Sequence, residues 1–195
     1  YDPHNIDSLK KKITKKTKAI IPVHISGRGT NIKEILKIAK KNKIRVIEDA
    51  AEAFGSKFKG KSLGSFGNCG CFSFAPNKII TTGQGGLIIT NDKKIYLKIN
   101  QLKDQGRTKV LNNRNIYSYR GFNFKFTDVQ AGIGLAQIND FKARKNKLIS
   151  IYRFYKKNIS ENINFKLFDF DLKNGELPLW TDAYCNYVDE LFLFL

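Results

Sequence analysis

Residues 19–49, AIIPVHISGRGTNIKEILKIAKKNKIRVIED, decide the fold class. The apolar run Ala19 to Ile25, closed by Gly27 and Gly29, reads as a buried strand running into a loop. Pro22 interrupts it, because proline has no N–H to give to a ladder. Ile32, Ile35, Leu36 and Ala39 then recur at helical spacing, with Lys33, Lys37, Lys40 and Lys41 on the opposite face. Asn31 is the N-cap expected for this helix, and its end falls near Asn42. Arg45, Val46 and Ile47 make a second short strand that ends at Glu48-Asp49. Strand, helix and strand joined by short loops predict a right-handed βαβ unit, hence an α/β domain with a parallel sheet.

Working outward, residues 71–74 and 86–90 read as further strands, with Asn91-Asp92 as the turn after the second. Residues 93–104 read as a helix, and the Asn- and Arg-rich stretch 107–121 as a loop. A helix is predicted from Thr127-Asp128 to about Asp140, with Val129, Ile133, Ala136 and Ile138 as its apolar positions. A basic, aromatic helix follows over about 142–159, carrying Leu148, Ile149, Tyr152, Tyr155 and Ile159; beyond it the pattern decays. No internal repeat is present.

With 195 residues, 42% hydrophobic and 12% aromatic, the chain has material for one core, or one and a fraction. That composition excludes a disordered tail. Three cysteines exclude a disulfide scaffold, and Cys69 and Cys71, flanking one glycine, have the wrong spacing for a zinc knuckle; no metal site is expected, and a reduced, cytoplasmic compartment fits. No signal peptide and no apolar run long enough for a bilayer is seen, so no membrane is expected. The chain lacks methionine altogether, even at position 1, and is expected to be a piece of a longer protein. The net charge of +18 invites nucleic acid as a partner. The lysines are nevertheless spread along the chain, in groups such as Lys10-Lys11-Lys12 and Lys156-Lys157 on helix-like surfaces, with no basic stripe interleaved with stacking aromatics. No nucleic acid is expected.

Ligands of an open α/β sheet gather beyond the carboxyl ends of its strands. Asp49 stands at such an end, where it could equally cap a helix beginning at Ala50. Ser73 could be an ordinary strand residue, and Lys78 an ordinary exposed lysine. Lys78, however, lies between a strand that breaks at Ala75-Pro76-Asn77 and the glycine-rich turn Thr82-Gly83-Gln84-Gly85-Gly86. A lysine held at so crowded a junction is positioned, and a desolvated lysine can act as an imine-forming nucleophile.

Four motifs, in order from about residue 18 to 140, carry a resemblance. They are Pro22-Val23-His24 followed by Gly27; Val46-Ile47-Glu48-Asp49-Ala50-Ala51-Glu52-Ala53-Phe54-Gly55; Gly64-Ser65-Phe66-Gly67 with Cys71-Phe72-Ser73-Phe74-Ala75-Pro76-Asn77-Lys78 and the glycine-rich turn; and Gly121-Phe122-Asn123-Phe124 through Ala131. Together they resemble the DegT/DnrJ/StrS family of sugar aminotransferases. The resemblance implies the type I (aspartate aminotransferase) fold, whose large domain is a mixed, mostly parallel sheet flanked by helices, here truncated at both ends. It implies pyridoxal 5′-phosphate as cofactor. Lys78 would bond the cofactor aldehyde and then carry the transferred proton; Asp49 would keep the pyridine nitrogen protonated. Ser73 would donate to the phosphate, and Asn123 to the phosphate of a neighbouring subunit, in a homodimer with shared active sites. Glu52 stands where the family often has Gln or His near the ring hydroxyl, Gln105 replaces a commoner His, and Lys125 a commoner Arg. Relatives with histidine in place of this lysine are sugar dehydratases, so Lys78 implies an aminotransferase.

By the same resemblance, residues 1–140 belong to the cofactor-binding large domain, and 141–195 to a connecting helix and the start of a small domain. An upstream phosphate-binding turn and an upstream aromatic that stacks on the ring are expected outside this stretch, and residues 1–195 alone are expected to be inactive. The implied reaction moves an amino group, from glutamate, onto a keto carbon of a nucleotide-linked sugar in polysaccharide or other amino-sugar biosynthesis. The alternative is a non-catalytic or regulatory relative that binds the cofactor on the same fold.

Overall fold

A computed structural model describes residues 5–112 and 114–194. After a short helix α1 (Ile6–Lys12) come β1 (Ala19–Ile20), α2 (Ile32–Asn42) and β2 (Arg45–Asp49). Two short strands, β3 (Lys57–Phe58) and β4 (Lys61–Ser62), form a hairpin ahead of β5 (Cys69–Ser73) and β6 (Gly86–Ile89). The central sheet has the order β1-β2-β5-β6, the first three strands parallel and β6 antiparallel. Beyond it lie α3 (Lys93–Lys103), β7 (Arg107–Leu111), β8 (Arg114–Tyr117), α4 (Asp128–Asn139), α5 (Phe141–Asn158), β9 (Phe165–Leu167), β10 (Ala183–Cys185) and α6 (Val188–Phe194).

The βαβ unit is present as parallel neighbours β1 and β2 joined through α2. Asn31 accepts from the Glu34 amide as the α2 N-cap, and Lys43 ends the helix in a left-handed conformation. Ile32, Ile35 and Ala39 of α2 are buried against Ile20, Ile44 and Val46, with Ile6, Leu9 and Ile13 packed on the same cluster. Each fully buried isoleucine contributes about 1.5–3 kcal/mol.

Four expectations need correction. The first strand is only two residues long: Pro22 breaks the ladder, a single bridge joins Val23 to Asp49, and Ile25–Gly27 turn as a 3₁₀ segment. The third strand begins earlier, at Cys69, because Ile47 pairs with it. The expected loop 107–121 holds the β7–β8 hairpin, which pairs Lys109 with Ile116 and Val110 with Asn115. No helix follows Asp49; residues 51–55 form turns, so Asp49 is not a helix cap.

A second cluster joins the segment after β5 to the C-terminal part of the chain. Ile79 and Ile80, which sit in turns just after Lys78, are buried with Leu177 and Leu179 and packed against Phe54, Phe141, Leu148 and Trp180. Arg28 reinforces the same join, pairing with Asp182 at 2.9 Å and lying over the rings of Phe168 and Phe170. The α4 face remains open, with Val129, Ile133, Leu135 and Ile138 exposed. Among the described residues no helix is long and apolar enough to cross a membrane. Leu195 of the apolar terminus lies outside the described residues.

Candidate active site

Two parallel strands end side by side. Asp49 pairs with Cys71, and in a parallel ladder paired residues share a face. Ser73, two residues beyond Cys71, lies on that same face at the end of β5. Asp49 Oδ1 accepts from the Ala51 amide at 3.1 Å, and Oδ2 makes no hydrogen bond among the described residues. Ser73 Oγ accepts from the Ala75 amide at 3.2 Å, which leaves its own proton free to donate.

The strand end is aimed by a neighbour. Glu48, fully buried, accepts from His24 Nε2 at 3.0 Å, from the Gly64 amide at 2.9 Å, and from the Phe66 and Gly67 amides at 2.5 and 2.6 Å. His24 Nδ1 accepts from the Thr30 amide, so Nε2 carries the proton that goes to Glu48. Burial pushes the Glu48 carboxyl up, but the bonds from His24 and the three amides outweigh it and hold the group below the usual carboxylate range. One buried carboxylate thus joins the first loop, β2 and the Gly64–Gly67 loop.

Lys78 lies in a loop with a fixed neck. Phe74 N donates to Gly85 O, and Phe74 O accepts from Thr82 N and Thr81 Oγ1. Gln137 of α4 then grips Thr81 through both its amide groups, at 3.2 and 2.9 Å. The Lys78 side chain is only 10% exposed. Its Nζ stands 3.7 Å from Glu52 Oε1 and 4.8 Å from the centre of the Trp180 ring. Glu52 Oε2 accepts from the Ser26 amide at 2.9 Å, and Ser26 O accepts from Leu179 N at 3.1 Å. Ser26, at φ 55°, is a non-glycine residue in left-handed backbone, a strained conformation held by these bonds. Lys78 also borders an open cleft of about 480 Å³, lined with Ile79, Arg144, Lys147 and Leu179.

Of the expected site residues, Glu52 and Lys78 therefore meet as a pair, and Asp49 and Ser73 stand on one face at the carboxyl ends of β2 and β5. Asn123 makes no hydrogen bond or ion pair with them among the described residues: it is exposed, and its backbone bridges Asp104, the residue that ends α3. Trp180 and Ser26, which brace Lys78 and Glu52, are not singled out by sequence reasoning, and His24 and Glu48 stand in two of the quoted motifs with nothing local to show that they pair. Trp180 is the sole tryptophan, but nothing local ties it to a lysine so far away in the chain.

The donor set fits pyridoxal phosphate: a sheltered amine for an aldehyde, a carboxylate oxygen with no partner among the described residues for a protonated ring nitrogen, and a hydroxyl with a free proton for a phosphate. Comparison with known proteins agrees. The family model described as "DegT/DnrJ/EryC1/StrS aminotransferase family" matches residues 2–184. The chain is 43% identical over 159 residues to GDP-perosamine synthase of Escherichia coli O157:H7, covering 80% of this chain and 42% of that protein. It is 33% identical over 180 residues to a UDP-4-amino-4,6-dideoxy-N-acetyl-beta-L-altrosamine transaminase of Campylobacter jejuni (strain 81-176), covering 89% and 48%. Among solved structures, Helicobacter pylori PseC, an aminotransferase involved in the biosynthesis of pseudoaminic acid, superposes with a TM-score of 0.78 at 28% identity, over 82% of this chain and 43% of that one.

The chain belongs to the DegT/DnrJ/EryC1/StrS aminotransferase family, whose aminotransferases are pyridoxal phosphate-dependent and have the type I fold. It spans less than half the length of these relatives.

Proposed function

We propose that the protein carrying this chain is a pyridoxal phosphate-dependent aminotransferase that places an amino group on a keto carbon of a nucleotide-linked sugar, with glutamate as donor. The observation that carries the reading is the sheltered Lys78 amine, in its braced loop, beside the carboxyl ends of β2 and β5, which present Asp49 and Ser73. When bound, pyridoxal phosphate supplies an aldehyde and an aromatic ring that accepts the electron pair released as a proton leaves carbon.

The chain's own groups do the rest. Lys78 Nζ holds the cofactor and moves a proton at the substrate carbon. Asp49 holds the proton on the ring nitrogen. Ser73 donates to the phosphate. Asn123, exposed in its own chain, serves the phosphate of a second subunit in a homodimer. Residues 1–140 form part of the large domain, and 141–195 the connecting helix and the start of a small domain. Two of the relatives named above, the GDP-perosamine synthase and the UDP-4-amino-4,6-dideoxy-N-acetyl-beta-L-altrosamine transaminase, carry nucleotide-linked amino sugars in their names, which supports a nucleotide-sugar substrate. Work in the cytoplasm, in surface polysaccharide synthesis, is part of the same reading.

The test is spectroscopic. The full-length protein with pyridoxal phosphate should absorb in the visible, and glutamate should convert that band to the shorter-wavelength pyridoxamine form. A band that ignores glutamate and every other amino donor would favour a non-catalytic, cofactor-binding relative.

A further inference from the structure

We propose that the cleft between the Lys78 loop and α5 receives the diphosphate of the nucleotide-linked substrate, with Arg144 and Lys147 as its counter-charges. The inference deepens the reading given under the proposed function and rests on it. The cleft holds about 480 Å³, within the range of small-ligand sites. One wall is the turn Asn77-Lys78-Ile79, and the other is the first half of α5, at Arg144, Lys147 and Leu148. Side chains three apart on a helix are neighbours, so Arg144 and Lys147 form a pair on one face. Leu148, with Phe141 and Ile149, packs on the cluster of Ile79, Ile80 and Leu179, which fixes that face against the Lys78 loop.

The charge of this cleft is one-sided. Among the described residues no carboxylate lines it, and the 18 residues of α5 contain none. Lys156, near the other end of α5, is neutralised by Glu161 and Asp169. Arg144 and Lys147 are exposed and make no ion pair among the described residues. Lys78 already faces Glu52, so the two α5 cations are the charge left for an anionic ligand. Ile79, Leu148 and Leu179 line the cleft beside them, and an ion pair against an apolar wall is screened less than one in open water. A guanidinium offers paired donors to a phosphate, and an ammonium adds a point charge. In a nucleotide-linked sugar the diphosphate hangs from the same ring as the keto carbon. A substrate brought to Lys78 therefore carries its anion to a place close by, which the α5 wall supplies with cations. Ser73, the proposed partner of the cofactor phosphate, does not line this cleft.

The test is calorimetric titration of the full-length protein with UDP, GDP, TDP and inorganic pyrophosphate, beside dialysis that follows retention of pyridoxal phosphate. Arg144→Gln and Lys147→Gln, both on an exposed helix face, should each weaken the nucleotide diphosphate that the unaltered protein binds by about ten- to a hundredfold. Pyrophosphate should lose affinity in parallel, since these cations meet the diphosphate and not the base. Lys142→Gln, on the same helix but off the cleft wall, should change binding by less than about twofold. Retention of pyridoxal phosphate should match that of the unaltered protein in all three variants. Unchanged nucleotide affinity in both cleft variants would overturn the proposal. Loss of pyridoxal phosphate with nucleotide binding intact would overturn it too, and would make the cleft the seat of the cofactor's phosphate. An unaltered protein that binds none of the three nucleotides would overturn the nucleotide-sugar reading itself, and this proposal with it.

Discussion

In the proposed reaction Lys78 is the residue on which the chemistry turns, and its replacement gives the sharpest single-site expectation. Lys78→Ala should keep the fold, since the loop neck is made by Phe74, Gly85, Thr82 and Gln137, yet abolish transamination. Turnover above background, without added amine, would contradict the role. Asp49→Asn should still bind cofactor but lose about two to four powers of ten in rate, equal to about 3–5 kcal/mol of barrier. Steady-state rates on the two proteins check this; an unchanged rate would reduce Asp49 to a turn-former that bonds the Ala51 amide. Glu48 carries stability instead. Its carboxyl is held below the ordinary value, so the stability it lends is fully present above about pH 4.3 and is lost as pH falls through the lower, folded value. Glu48→Ala would leave His24 and three amides without their acceptor and should cost about 3–5 kcal/mol. Urea midpoints at about pH 7 and about pH 3 measure both effects: the two proteins should differ widely at the first and converge toward the second.

At the scale of the element, sequence pattern serves where one face meets a core and fails where it does not. The α2 helix is legible in Ile32, Ile35 and Ala39 because all three are buried on one side. The β7–β8 hairpin is not, because Arg107 through Tyr117 pair in a solvent-facing ribbon with no apolar alternation. Lys78, Ser73 and Asp49 can be found because each stands beside a strand end or a glycine-rich turn. Trp180 and Ser26 cannot, since what brings them to Lys78 is tertiary: the Ser26–Leu179 bond and the burial of Leu177 and Leu179 on Ile79 and Ile80. Gly70 tests how tightly β5 is seated. It pairs with Glu48 of β2, and a Cβ there would overlap the Gly64 carbonyl. Gly70→Ala should therefore push the Gly64–Gly67 loop off Glu48 and lower the melting temperature well beyond the effect of alanine at an exposed, unstrained glycine such as Gly132. Equal melting of Gly70→Ala and Gly132→Ala would show the loop is free to move.

The molecule as a whole presents apolar side chains in and before α4, with Val129 74% and Phe124 71% exposed, and more at Ile21, just after β1, and at Leu87 and Ile88 of β6. A surface of that kind demands cover. Residues 1–195 expressed alone should associate as concentration rises, which light scattering would register; a monodisperse monomer at high concentration would contradict this. The cleft beside Lys78, its neighbours Arg144 and Lys147, and the sheltered amine face the same region, so the edge that joins α5 to the sheet is also where chemistry is expected. The proposed reaction requires that one lysine among the many carries the cofactor. Borohydride reduction of the full-length protein with bound pyridoxal phosphate, followed by mass spectrometry of its peptides, tests it directly. The label should fall on Lys78 and vanish from that peptide in Lys78→Ala; a label on any other lysine, with Lys78 unmodified, would contradict it.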